Sequence, residues 1–349
     1  MTRPEKIANA RTLFGDDLSL RVFDARLSLG ADAPAEAVCE LFDFNSTSEA
    51  SRLRISRLIG EMRDPRREKF IYGAGVGCLA VMGYAVTHSL GDPKWSGIID
   101  NTVTGERYGL PIVSFSEFVA KHSDALVLNS IGLPSGAATH RQCLDAGIDC
   151  LSLFEFILSH KQYFDLPKEM GLVGDGEVFV QAGCFNGETQ KSYVSWFGDT
   201  YASMIAFEPD PRQFVICKEK LAGLRDVEIV QAGLSDRCDT ARFNLTALGG
   251  SSIREAGGEA INVVSLDEHM RGERVTFIAL DIEGAELAAL RGAKGIIAEQ
   301  RPKLAISVYH KPDDVWEIPL LVKEYYPDYR FYLRHYHMLD MLETVMYAL

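Results

Sequence analysis

Apolar residues fall along the chain in short unbroken runs, each followed by a longer stretch in which they recur every third or fourth position. Phe70-Ile71-Tyr72, Leu126-Val127-Leu128, Val178-Phe179-Val180, Met204-Ile205-Ala206-Phe207, Phe277-Ile278-Ala279-Leu280 and Leu304-Ala305-Ile306 are the clearest runs. A short run bounded by turn residues predicts a buried strand, and the stretches between predict helices. Strand and helix in alternation predict parallel α/β sheets. Helical spacing also marks residues 1–68, most clearly at 35–42 and 53–62. The end of the chain departs from the alternation. Tyr329–Leu333 and Glu343–Leu349 follow one another as strands, which predicts an antiparallel hairpin at one sheet edge. A break is read near Tyr163 to Asp175, where Pro167, Gly171, Gly174 and Gly176 cluster. Three parts result: a helical segment 1–68, a small Rossmann-like α/β domain 69–160, and a larger domain 161–349.

Two strand ends carry glycine turns. After Val178–Val180 comes Gln181-Ala182-Gly183-Cys184-Phe185-Asn186-Gly187, then a helical stretch, then a second strand that stops on Glu208. Strand, glycine turn, helix, strand and acid make a nucleotide-binding βαβ unit, with Glu208 placed to accept from two ribose hydroxyls. The glycine spacing is G-x-x-x-G, not the G-x-G-x-x-G that cradles a pyrophosphate. The loop therefore suits a ligand with a ribose and no phosphate, such as S-adenosylmethionine. The earlier turn has Gly73 and Gly75 but Cys78 in place of a third glycine. It is read as an α/β scaffold, with a nucleotide site having Asp100 on a ribose as the alternative.

Other strand ends supply further candidates. Ser235 and Asp236 follow the third strand of the larger domain, beside the position of a base; a turn role for Asp236 is equally open. The strand 275–280 runs into Asp281-Ile282-Glu283-Gly284-Ala285-Glu286. An acid at the carboxyl edge of a parallel sheet lies in the ligand crevice. Glu283 and Glu286 are expected on one face of the next helix, where first-turn acids also suit the helix dipole. Tyr309-His310-Lys311 ends the next strand, and Arg334 and His335 follow the one after.

Totals narrow the partners. The formal net charge of −13 over 349 residues argues against a nucleic-acid partner, which needs clustered Lys and Arg. Arg52, Arg54, Arg57, Arg63, Arg66 and Arg67 form a basic run, read as a solvated helix face. Seven scattered cysteines without a CxxC pair predict reduced thiols. No basic-then-apolar leader opens the chain, and the apolar window 70–86 is interrupted by glycines. A soluble, cytoplasmic protein without a membrane span is expected, and the chain is compatible with a homo-oligomer.

Residues 177–349 resemble the FkbM family of S-adenosylmethionine-dependent methyltransferases. The residues that carry the likeness are Phe207-Glu208-Pro209, Leu266-Asp267, the run Leu280-Asp281-Ile282-Glu283-Gly284-Ala285-Glu286-Leu287 with Leu290-Arg291-Gly292-Ala293, and Tyr309-His310. The resemblance implies an α/β fold of the class I methyltransferase type: a Rossmann-like sheet of seven strands in the order 3-2-1-4-5-7-6, the last antiparallel. Here it is preceded by the second, smaller Rossmann-like domain. It implies methyl transfer from S-adenosylmethionine to a hydroxyl of a sugar, glycan or polyketide-like acceptor. Cofactor contacts are expected from Gln181, Gly183, Asn186, Gly187, Glu208, Ser235, Asp236 and Asp281. Family members usually carry an acid where Gln181 stands; an amide accepts a hydrogen bond but brings no charge to the cofactor's ammonium. A sugar hydroxyl is a poor nucleophile, so a base or a metal is required. His310 and Asp281 are the catalytic candidates, with His310 as base near neutral pH. Tyr309, Arg334 and His335 are expected at the acceptor. No metal is expected; the alternative is a divalent cation on Asp281, Glu283 or Glu286, and His310. Two other functions remain open from sequence: an NAD(P)-dependent oxidoreductase using the N-terminal glycine loop, and a non-catalytic module that binds a nucleotide-sugar.

Overall fold

The computed structural model describes residues 1–29, 49–87, 93–131, 135–152, 162–244, 252–254, 258–337 and 342–349. The helix expected at 35–42 lies outside these residues. The chain forms two compact units. One comprises Leu29–Leu158 with His337–Met341; the other comprises Met1–Ser28, Ser159–Tyr336 and Leu342–Leu349.

In the first unit, strands β1 (Lys69–Tyr72), β2 (Trp95–Ile99), β3 (Gly105–Arg107), β4 (Leu110–Val113), β5 (Leu126–Asn129) and β6 (Cys150–Ser152) form one sheet, ordered β3-β4-β2-β1-β5-β6. All pairs are parallel except β3 with β4. That β3–β4 hairpin has no long apolar run and was not anticipated. The basic run is a paired face where its side chains are described. Arg57 and Arg67 both reach Asp149, and Arg67 also binds Glu61 at 2.9 Å.

The second unit holds the larger sheet: β7 (Glu177–Ala182), β8 (Tyr201–Phe207), β9 (Val227–Val230), β14 (Phe277–Leu280), β15 (Lys303–Ser307), β16 (Phe331–His335) and β17 (Thr344–Ala348), ordered β16-β17-β15-β14-β7-β8-β9. A smaller sheet is made by β10 (Gly233–Leu234), β11 (Asp239–Asn244), β12 (Ser252–Arg254) and β13 (Glu259–Val264). In the larger sheet β17 alone is antiparallel, slotted between β15 and β16. The segments Met204–Phe207, Phe277–Leu280 and Leu304–Ile306 of the interior strands are buried, which is why they read as continuous apolar runs. β7 pairs with β8 on one side and β14 on the other, so the strand order reverses at β7. In open α/β sheets, ligands bind outside the carboxyl ends at such a reversal.

The expected helical segment 1–68 is divided. Helices Arg3–Arg11 and Asp17–Ser28 pack onto the helix Asp314–Tyr325 and β16, whereas Glu49–Arg63 lies in the other unit. Their amphipathic spacing looks alike in sequence; only the contacts separate them. Ala10, Phe14, Val22 and Phe23 join the same apolar core as Trp316 and Phe331. The Ser19 hydroxyl accepts from the Leu333 backbone N–H at 2.8 Å.

Candidate active site

The glycine loop and the β14 tip meet at the strand reversal. Gly183 has φ +83°, and a Cβ there would lie 1.8 Å from the Asp281 carbonyl oxygen. Only glycine permits that approach. Gly187, φ +79°, caps the helix Glu188–Phe197, and Asn186 Oδ1 accepts from the Glu188 N–H at 3.1 Å. Glu208, at the β8 tip, turns back onto this loop. Its Oε2 accepts from the Phe185 N–H at 2.7 Å, and its Oε1 from the Asp210 N–H at 2.9 Å. The carboxylate is 6% exposed, and burial pushes its pKa up to about 7 against the two N–H donors.

That value fixes a sign. A carboxyl whose folded pKa exceeds its unfolded one destabilises the fold above the folded value, and the penalty fades as pH falls toward the unfolded value. Glu208 therefore destabilises its unit above pH ~7 by about 1–3 kcal/mol, an effect relieved toward pH ~4.5. The melting temperature of the native chain should rise relative to Glu208→Gln as pH is lowered from ~8 to ~5. A difference independent of pH would show that Glu208 is not so perturbed.

Gln181 is buried and inward-facing. Its amide donates to the Gly183 carbonyl at 2.8 Å and accepts from Gln190 at 2.6 Å, so its polar atoms shape the loop. Ser235 is half-buried, and its backbone carbonyl would lie 2.0 Å from a Cβ on Gly292. Asp236 is exposed and pairs with Arg237 at 3.2 Å. Asp267 of the Leu266-Asp267 pair is structural: it accepts from the Gly295 and Ile296 N–H groups, holding the start of the helix Lys294–Gln300.

Around Asp281 the structure gathers a dense polar cluster. Tyr163 donates to Asp281 Oδ2 at 2.8 Å and Tyr309 to Oδ1 at 3.0 Å. His310 Nε2 lies 3.3 Å from Asp281 Oδ1 and 3.5 Å from Glu283 Oε2, and its Nδ1 lies 2.9 Å from Glu286 Oε1. Glu286 is fully buried and also accepts from the Ile282 N–H. Burial raises both Asp281 and Glu283, partly offset by His310. Burial alone would lower His310, but Glu286, then Asp281 and Glu283, outweigh it and push its pKa up to about 9. The imidazole expected as a neutral base is thus held as its conjugate acid at pH 7. The helix expected to carry both Glu283 and Glu286 begins only at Glu286. Glu283, φ +54°, and Gly284, φ +94°, form a turn before it, and that turn sends Glu283 back toward His310.

Tyr163 was missed by sequence reasoning. It stands in the segment read as a break, beside Phe164, which packs edge-on against Phe179 of β7 and Phe277 of β14. The apolar pair Tyr163-Phe164 inside a Pro/Gly-rich stretch was the available signal. Arg334 and His335 are not brought to the Asp281 cluster by the contacts they make. Arg334 donates to Asp16, Ser19 and the Leu333 carbonyl, and His335 Nδ1 pairs with Thr344 Oγ1 at 2.9 Å. Arg334 ties β16 to the helix Asp17–Ser28, and His335 ties β16 to β17.

The smaller unit has a comparable reversal at β1, but its acid is taken up by its own chain. Asp100 accepts from the N–H groups of Ala74, Thr102 and Val103 and from the Thr102 hydroxyl.

Comparison with known proteins bears on the larger unit. Residues 183–342, in the C-terminal half of the chain, match the family model of the methyltransferase FkbM domain. Among solved structures the chain is similar to methyltransferase FkbM from Methylobacillus flagellatus KT, at 19% identity over 99% of each chain, with a TM-score of 0.49. It is also similar to Aeropyrum pernix fibrillarin, whose structure has natively bound S-adenosyl-L-methionine (14% identity, 55% of this chain and 76% of that one, TM-score 0.36). A third is an rRNA methylase from Streptococcus thermophilus (16% identity, 54% and 92% covered, TM-score 0.34). No curated protein matches the chain. Among the described residues, no helix is long and apolar enough to cross a membrane.

Proposed function

We propose that this protein is an S-adenosylmethionine-dependent O-methyltransferase acting on a hydroxyl of a sugar, glycan or polyketide-like acceptor. The carrying observation is the contact of the Gly183 loop with Asp281, one strand from the buried Glu208 carboxylate. Counted along the chain, the larger sheet reads 3-2-1-4-5-7-6, which supports the class I methyltransferase assignment. On this reading the catalytic unit is residues 161–349 completed by Met1–Ser28.

The loop Gly183, Asn186 and Gly187 receives the cofactor's amino-acid portion, with Gln181 fixing the loop's shape. Glu208 accepts from the ribose hydroxyls, and Ser235 and Asp236 stand beside the adenine. Asp281 faces the sulfonium. Tyr309 positions Asp281 on the acceptor side. In the transfer, the acceptor oxygen attacks the methyl carbon in line with the departing sulfur. The C–S bond breaks, the sulfonium becomes a neutral thioether, and a C–O bond forms. Asp281, made more basic by burial, takes the hydroxyl proton, and the imidazolium of His310 favours the negative charge developing on oxygen. Alignment of the two reactants can supply up to ~7–11 kcal/mol of the barrier reduction.

Calorimetry with S-adenosylhomocysteine and, separately, with NAD tests the cofactor. Micromolar binding of S-adenosylhomocysteine and none of NAD is expected. The reverse result would replace the methyltransferase reading with that of an oxidoreductase.

A further inference from the structure

We propose that Cys184 and Cys217 are a modification site: a pair of thiols that closes into a reversible disulfide and so weakens ligand binding at the Gly183 loop. The bond itself is inferred from the thiol geometry; its effect on binding rests on the methyltransferase reading.

The first ground is a proximity that sequence spacing hides. Cys184 lies in the loop after β7 and Cys217 on the helix Pro211–Leu221, 33 residues away, yet their Sγ atoms stand 2.7 Å apart. A disulfide bond is about 2.05 Å long, so these are two free thiols already in contact. Both are buried in one apolar cluster with Ala206 and Leu221. Burial keeps out bulky disulfides and leaves the pair to small oxidants that enter by local opening. The contact with Cys217, together with burial, pushes the Cys184 pKa up, so the reaction is slow and needs sustained exposure.

The second ground is what the two thiols hold. Cys217 Sγ donates to the Phe185 carbonyl at 3.2 Å, and Cys184 Sγ to Gln190 Oε1 at 3.7 Å. Gln190 donates to Gln181, which donates to the Gly183 carbonyl. The Phe185 N–H is one of the two groups bound by Glu208. The thiols therefore fasten the loop between its contact with Asp281 and its contact with Glu208.

A peroxide is the oxidant. Two S–H bonds and the O–O bond break, one S–S bond forms, and hydrogen peroxide leaves as two waters carrying the thiol protons. The sulfurs are oxidised by two electrons and the peroxide is reduced by two. Both S–H donors are lost, so the Phe185 carbonyl and Gln190 Oε1 lose these partners. Cys184 is drawn toward the helix, and the loop that Gly183 seats against Asp281 shifts with it.

The test treats the full chain with hydrogen peroxide, alkylates it under denaturing conditions, digests it without reductant and maps the peptides by mass spectrometry. A peptide pair joined through Cys184 and Cys217 is expected, and dithiothreitol should release it. Mapping separates this bond from one between Cys143 and Cys150 of the smaller unit. Calorimetry should show S-adenosylhomocysteine bound at least tenfold more weakly by the oxidised chain, with affinity restored by dithiothreitol, a comparison that needs no variant. Cys217→Ser keeps a hydroxyl donor for Phe185 and cannot form the bond, so its affinity should not respond to peroxide. Free or sulfinic Cys184 and Cys217 after treatment, or a joined pair with affinity within threefold of the reduced chain, overturns the proposal. S-adenosylhomocysteine binding without the joined pair would sink the disulfide alone. A joined pair in a chain that binds no S-adenosylhomocysteine in either state would sink the methyltransferase reading, and with it the effect on binding.

Discussion

Gly183→Ala is expected to lower the melting temperature by about 10 °C or more and to abolish binding of S-adenosylhomocysteine. Two effects add. At φ +83° an L-residue is strained by roughly 1–2 kcal/mol. The new Cβ would also lie 1.8 Å from the Asp281 carbonyl oxygen and 2.9 Å from its carbon. Both are backbone atoms at the end of a buried strand, so no side-chain rotation relieves the clash, and the tips of β7 and β14 must separate. A total near 4 kcal/mol follows, at the upper end of single substitutions. Gly223→Ala is the control, because a Cβ there meets nothing within 4 Å and should shift stability by less than about 0.5 kcal/mol. Thermal melts of both variants decide the point. A Gly183→Ala protein that melts like the native chain would show that the loop does not press on Asp281.

Glu208→Ala should weaken S-adenosylhomocysteine binding by about 100-fold or more, close to 3 kcal/mol. The carboxylate is buried, and its two oxygens accept from the Phe185 and Asp210 N–H groups. Removing it takes away the proposed ribose acceptors. It also leaves two backbone N–H groups without their partner, at about 1–3 kcal/mol each where water cannot reach. Glu208→Gln keeps the volume and one acceptor, so its loss should be nearer tenfold. The ratio between the two variants separates ribose recognition from loop support. If Glu208→Ala binds within threefold of the native protein, Glu208 does not hold the ribose.

The parts of the site that were legible in sequence are those written locally. The strand Val178–Val180 followed by Gly183 and Gly187, and the buried runs stopping on Glu208 and Asp281, need no distant partner to be recognised. Such runs are apolar because strands inside a parallel sheet are covered on both faces. What was hidden depends on tertiary contact. Tyr163 reaches Asp281 across 118 residues, and no periodicity links them. Arg334 looked available beside a strand end, yet its partner Asp16 lies 318 residues away. His310 was expected to be neutral because sequence spacing does not show three acids converging on one ring. Glu283 and Glu286 did look related at a spacing of three, although a turn rather than a shared helix face brings them to His310.

The helices Arg3–Arg11 and Asp17–Ser28 close against β16 and the helix Asp314–Tyr325, with Arg3 reaching Asp313 across 310 residues. During synthesis these helices emerge long before their docking surface exists. The smaller unit, encoded between the two parts, can fold meanwhile on its own local contacts. Its larger neighbour must keep an apolar face uncovered until the last strands are released. Closure over so long a loop is slow, and the waiting segment is the point at which a chaperone would engage this chain.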